Sequence, residues 1–170
     1  PQDKNVNNFF IDDGFFERNP RHVKRFITAL KFALESVKAQ LEELSQNSTS
    51  TAEDDDVKEQ KKSIQEILDN PDLLAKILLV QEKFYTVYEK LILYPAEIVS
   101  HEKLLRGNGK PEDLLIANKK VLEILENDGE SLKNYASLIN LEPQFTDVYN
   151  STVYDPTNFL AFSGATGLPS

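Results

Sequence analysis

The chain has 170 residues, 40% of them hydrophobic and 28% charged, with a formal net charge of −9. That is enough for one domain with a real core and is ordinary for a globular protein, while the acidic balance argues against general nucleic-acid binding. The absence of cysteine excludes disulfides, cysteine-based zinc sites and thiol nucleophiles.

No apolar run approaches the ~18 residues that suggest a membrane span. The polar, acidic N-terminus lacks the charged-then-apolar pattern of a signal peptide. These readings point to a cytoplasmic chain without a membrane partner. It begins at Pro1 and contains no methionine, which points to a piece of a longer protein.

Residues 1–18 read as an approach segment from a missing preceding domain. After a polar start come Phe9, Phe10, Ile11, Phe15 and Phe16, split by Asp12-Asp13-Gly14. The phenylalanines are expected to pack beside the first helix.

That helix is predicted from about Pro20 to Leu44. Asn19 suits the N-cap and Pro20 suits N1, where a missing N–H costs nothing. The charges that follow oppose the helix dipole. Arg21, Lys24 and Arg25 crowd an end that favours acids, and each costs a few tenths of a kcal/mol if unpaired. At helical spacing these cations share one face with Thr28. Val23, Phe26, Ile27, Leu30, Leu34, Val37, Leu41 and Leu44 form an apolar seam opposite. Two readings of the cations remain: an anion site, with phosphate the favoured ligand, or ion pairs with the acidic remainder of the chain. Phe32 falls on the cationic side, as a contact for a later helix or for a missing domain.

Residues 45–62 show no apolar period and read as a flexible acidic insertion. Glu53-Asp54-Asp55-Asp56 lacks the alternate spacing and glycine of an EF-hand, and is read as a solvated charge run. A short helix is expected over Val57–Asp69. Asn70-Pro71 repeats the cap-then-proline start of a central helix, Pro71–Tyr94, whose dense apolar positions imply burial on more than one side. Pro95 opens the next helix. Arg106-Gly107-Asn108-Gly109-Lys110-Pro111 superficially resembles a phosphate loop, but position 104 is leucine and 111 proline where Walker A needs Gly and Ser or Thr. A helix–helix turn is expected there. Helices over 111–126 and 130–140 follow, and residues 143–170 read as an irregular aromatic tail.

The expected fold is therefore all-α. It is an irregular bundle of about five to six helices over residues 19–142, with an extended aromatic C-terminal tail. His22 and His101 have no shared spacing and read as surface or boundary residues. No catalytic constellation and no metal-ligand set can be assembled.

Asn19-Pro20-Arg21-His22-Val23-Lys24-Arg25-Phe26 resembles the N-P-R-x-h-K-R-h motif (h apolar) that begins the helical region after the nucleotide-binding core of KAP-type P-loop ATPases, relatives of the AAA+ and STAND groups. Leu74–Phe84 is similar to the apolar helix after that motif, and Asp155–Ser163 to the closing aromatic strip. The family more often has an arginine in that strip, where this sequence has none.

The resemblance implies a helical lid without catalytic activity of its own. Asn19, Pro20 and Arg21 would set the helix start, and Arg21, Lys24 or Arg25 would sense nucleotide phosphate. The partner would be the missing upstream P-loop core. ATP with magnesium would be bound only in the intact parent, and no cofactor by this stretch. The alternative function is a helical interaction module that recognises a protein or an acidic ligand through its basic face, with Phe32 and the leading aromatics as its contact surface. A local nucleic-acid contact by the Arg18–Lys31 patch is a third and weaker possibility.

Overall fold

The computed structural model describes residues 20–47, 55–117, 119–125 and 129–148. Among them every regular element is helical: α1 (Pro20–Asn47), α2 (Asp55–Asp69), α3 (Pro71–Lys83), α4 (Tyr85–Leu93), α5 (Glu97–Arg106), α6 (Pro111–Ala117), α7 (Lys119–Leu122) with a 3₁₀ turn at Glu123–Leu125, α8 (Gly129–Ile139) and α9 (Phe145–Val148). The approach segment, the Asn19 cap, the aromatic strip and most of the expected tail lie outside the described residues.

The apolar seam of α1 is used as its spacing implies. Phe26, Leu30, Ala33 and Val37 are buried, while Val23, Leu34, Leu41 and Leu44 pack against the same core. Its partners are α2, which contributes Ile64 and Ile67, and α3. The helix expected over Val57–Asp69 is α2, which already starts at Asp55, so the part of the expected flexible insertion from 55 to 62 is helical. Asp55 and Asp56 occupy its first turn, where the helix dipole favours acids. Their charge, read as solvated loop character, is a helix start.

Helix α3 is the centre. Every residue from Leu73 to Gln81 is buried, and the helix touches α1, α2, α4 and α8. The expected continuous helix to Tyr94 is interrupted at Phe84, whose φ of −136° and ψ of 56° leave the helical region. The interruption holds no proline or glycine. The half-buried Phe84 ring meets the edge of Tyr135 on α8 at 5.5 Å between centroids, a contact from a helix distant in sequence. Among the described residues this break and the short α9 each add a helix to those expected.

Asn70 stands at the N-cap position of α3 but makes no side-chain cap bond there. Its Nδ2 donates to Glu66 O at 2.9 Å, closing the C-terminus of α2 instead. The 107–110 turn carries Asn108 in the left-handed region, φ 67°. A Cβ on Gly109 would lie 2.6 Å from Leu104 O. Glycine is required there by the chain's own close approach.

Candidate functional site

The start of α1 forms one wall of an open groove of about 560 Å³, lined by Arg21, His22, Lys24, Arg25, Phe26, Thr28, Ala29, Phe32, Leu78 and Glu82. Its size is that of a small-ligand or side-chain pocket. Phe26 and the fully buried Leu78 are core residues at the groove's lining, whereas Phe32 is 62% exposed and stands at its side. An aromatic ring this exposed on a helix whose other large apolar groups are at least half-buried has no role in the bundle's own core.

Of the residues predicted for the site, Arg21, Lys24 and Arg25 are brought together along the groove, and all three are exposed. Pro20 is the first residue of α1, while Asn19 lies outside the described residues. Arg25 is already partnered: its Nη2 donates to Glu82 Oε1 at 3.0 Å. For Arg25 the structure shows the second of the two readings, an ion pair with an acid of the same chain. The pair is at the surface, where such a contact is worth about 0–1 kcal/mol, so it can open at little cost. Glu82 was not anticipated because the pairing joins positions 57 apart. No ion pair within the described residues includes Lys24. Thr28 Oγ1 donates to Lys24 O at 2.9 Å and ties the hydroxyl back to the helix.

A second polar cluster lies inside the bundle. Lys76 on α3 and Glu102 on α5 are both fully buried, with Nζ 3.8 Å from Oε1. Lys76 Nζ also donates to Leu141 O at 3.1 Å. Glu102 Oε1 accepts from Phe145 N at 2.8 Å, and Oε2 accepts from Thr146 N and Thr146 Oγ1 at 3.4 and 3.1 Å. The carboxylate thus takes up the orphan amides at the start of α9. Outside the same segment, Arg106 donates to both oxygens of Asp147 at 2.8 and 3.1 Å. Residues 141–148 are therefore held from within and from without.

Burial dominates the titration of this cluster. It pushes Lys76 down to about 8 against the pull of Glu102, Glu142 and Asp147. It raises Glu102, against the attraction of Lys76 and the Phe145 and Thr146 hydrogen bonds. The Arg106 hydrogen bond holds Asp147 below the usual carboxylate range.

His101 corrects another expectation: it is fully buried, not a surface or boundary residue. Its Nδ1 shares a 2.7 Å hydrogen bond with Tyr135 Oη, and burial lowers its pKa to about 4. The Lys76–Glu102 part of this cluster is a clasp on residues 141–148. Among the described residues no group of three or more His, Cys, Asp or Glu could hold a metal ion. No helix there is long and apolar enough to cross a membrane. No family model matches the chain, and no curated protein or solved structure matches it.

Proposed function

We propose that this chain is a non-catalytic helical docking region, and that the groove at the start of α1 receives an acidic surface or group supplied from outside the bundle. The observation that carries this reading is the pairing of a cationic rim with an apolar floor and an exposed phenylalanine in one open groove. A cationic rim beside an apolar surface favours a partner that offers both acid and apolar groups.

Combined with the resemblance of Asn19–Phe26 to the start of the helical region in KAP-type ATPases, this makes the partner an upstream P-loop core. The chain would act as its lid or regulatory region, with Lys24 and Arg21 nearest the bound nucleotide and magnesium-ATP held by the core. A cation that gains more from ATP than from ADP would couple nucleotide state to docking. Glu82 at the groove supports the second reading, a protein-interaction module, because its carboxylate repels a polyphosphate that approaches without displacing Arg25.

Two measurements test this. Calorimetry of the chain with magnesium-ATP is expected to show weak or no binding, because the chain alone supplies half a site; tight binding contradicts the docking reading. In the intact parent, Lys24→Glu combined with Arg21→Glu is expected to reduce ATPase activity or its regulation by at least about tenfold, the loss of ~1.4 kcal/mol of coupling. Unchanged activity with unchanged partner binding overturns the assignment of the groove.

A further inference from the structure

Seven large apolar side chains stand exposed among the described residues, and only Phe32 belongs to the α1 groove. The other six, Tyr85, Ile92, Leu93, Tyr94, Ile116 and Ile124, lie on or just after α4, α6 and α7. Ile116 is 84% exposed and Leu93 72%, so neither serves the bundle's own core. Two contacts join these stretches into one surface. Lys90 pairs with Glu123, and four residues further along, Tyr94 lies under the Lys120 ammonium, 5.7 Å from the ring centroid. Lys120 precedes Glu123, so the two stretches run antiparallel, and Ile116, one turn before Lys120, falls at the Leu93–Tyr94 end. A contiguous apolar surface of this kind marks an interaction site.

We propose that this face pairs with a second copy of the chain about a two-fold axis near Ile116. The charge pattern selects that occupant. Glu112 and Ile116 on α6 and Lys120 on α7 follow one another at steps of four, the spacing that keeps side chains on one helical face. All three are exposed, and α6 and α7 touch. No ion pair among the described residues includes Glu112 or Lys120. A stripe that reads acid, apolar, cation is its own complement when turned end for end. With Ile116 beside its symmetry mate, Glu112 of each copy faces Lys120 of the other, and the contact is made twice, as a two-fold interface requires. Leu93 and Tyr94 of both copies flank the isoleucines. Two chains of net charge −9 repel each other at a distance, so a stable contact between copies needs a face where lysines stand opposite acids. This face shares no residue with the α1 groove, and its pairing stands or falls apart from the docking reading.

Sedimentation equilibrium of the whole chain tests it. The mass is expected to rise with concentration from 19.3 kDa toward twice that value. A mass that stays at 19.3 kDa up to about 1 mM, where weak contacts already associate, overturns the proposal and leaves the face to a different partner. Glu112→Lys and Lys120→Glu each place like charges opposite one another at both ends of the stripe. Each is expected to raise the dissociation midpoint at least about tenfold. The two substitutions in one chain, or an equimolar mixture of the two single variants, restore opposite charges and are expected to return the midpoint to within about threefold of the parent's. Both positions are exposed, so the fold is retained in every variant. Single reversals without effect assign any dimer to another face and overturn the proposal, and so does a loss that neither combination recovers. Because the chain has no native cysteine, Ile116→Cys reports on the axis directly. Under mild oxidation it is expected to give a disulfide dimer at least about tenfold faster than the exposed Lys133→Cys on α8, and equal rates overturn the placement of the axis and with it the proposal.

Discussion

At His101, burial sets a measurable pH dependence. The imidazole is neutral in the fold, with a pKa of about 4 against 6.5 when solvated. A depressed folded value contributes stability above the unfolded pKa. That stability is lost as pH falls from about 6.5 toward 4, by at most about 3 kcal/mol at 1.36 kcal/mol per unit. The raised Glu102 works in the opposite direction over part of this range, since its proton is better held in the folded state. His101→Gln separates the two effects. Urea unfolding at pH 7 and pH 4.5 is expected to show a smaller acid loss in the variant than in the parent chain, and an equal loss would remove His101 as the cause. Tyr135, fully buried and raised well above its ordinary value by desolvation, stays neutral throughout this range.

Glu102 is the other residue on which much rests. Its carboxylate accepts two backbone amides and a hydroxyl of residues 145–146 while facing the Lys76 ammonium. Glu102→Gln keeps the shape but leaves Lys76 a buried charge without its counter-ion and turns amide hydrogens on the Thr146 donors. A loss of about 3–5 kcal/mol is expected. Replacing the pair together, with Lys76→Met and Glu102→Gln, is expected to cost less than Glu102→Gln alone, because no charge is then stranded. A double-mutant cycle by chemical denaturation checks this, and simple additivity would contradict it.

Among the elements, the 107–110 turn shows how a motif that resembles a phosphate loop arises from packing alone. Gly109 brings the backbone against Leu104. Asp113 Oδ2 accepts from Lys110 N at 2.8 Å, satisfying the amide ahead of α6. Gly109→Ala is expected to destabilise by about 1–3 kcal/mol, because the Leu104 carbonyl is backbone and gives way only with the helix end. A thermal midpoint equal to that of the parent chain would contradict the reading. Helix α9 repeats the device on a smaller scale, with Asp147 Oδ2 accepting from Gln144 N at 3.2 Å. That contact and the Arg106 fork share one carboxylate, which couples the end of α5 to the start of α9.

Across the whole molecule, the bundle is built from two unlike parts. The α1–α2 pair closes on α3 through apolar seams, whereas α9 is held on α5 largely by charge, although the buried Phe145 adds an apolar anchor. Hydrogen exchange is the natural probe of that difference. In Glu102→Gln the amides of Phe145 and Thr146 are expected to lose protection before those of Leu30 and Val37, because local openings follow the weaker contacts. Simultaneous loss at all four would show that the clasp and the bundle unfold as one unit.

The all-helical class and the seam of α1 were legible in the sequence because both depend on local period and turn chemistry. Proline starts at Pro20 and Pro71, and apolar steps of three and four from Val23 to Leu44, dictate a helix whatever packs on it. The clustering of Arg21, Lys24 and Arg25 on one face followed from the same geometry. Their surroundings did not. Whether Arg25 is neutralised depended on Glu82, a residue 57 positions away, and only the approach of α3 to α1 decided it. The break at Phe84, the burial of His101, and the Lys76–Glu102 clasp likewise depend on which helices meet. A lone lysine, glutamate or histidine in a helical sequence carries no periodic mark of the partner that will desolvate it. Local backbone preference is encoded residue by residue, but the electrostatic environment of a side chain is a property of the assembled bundle.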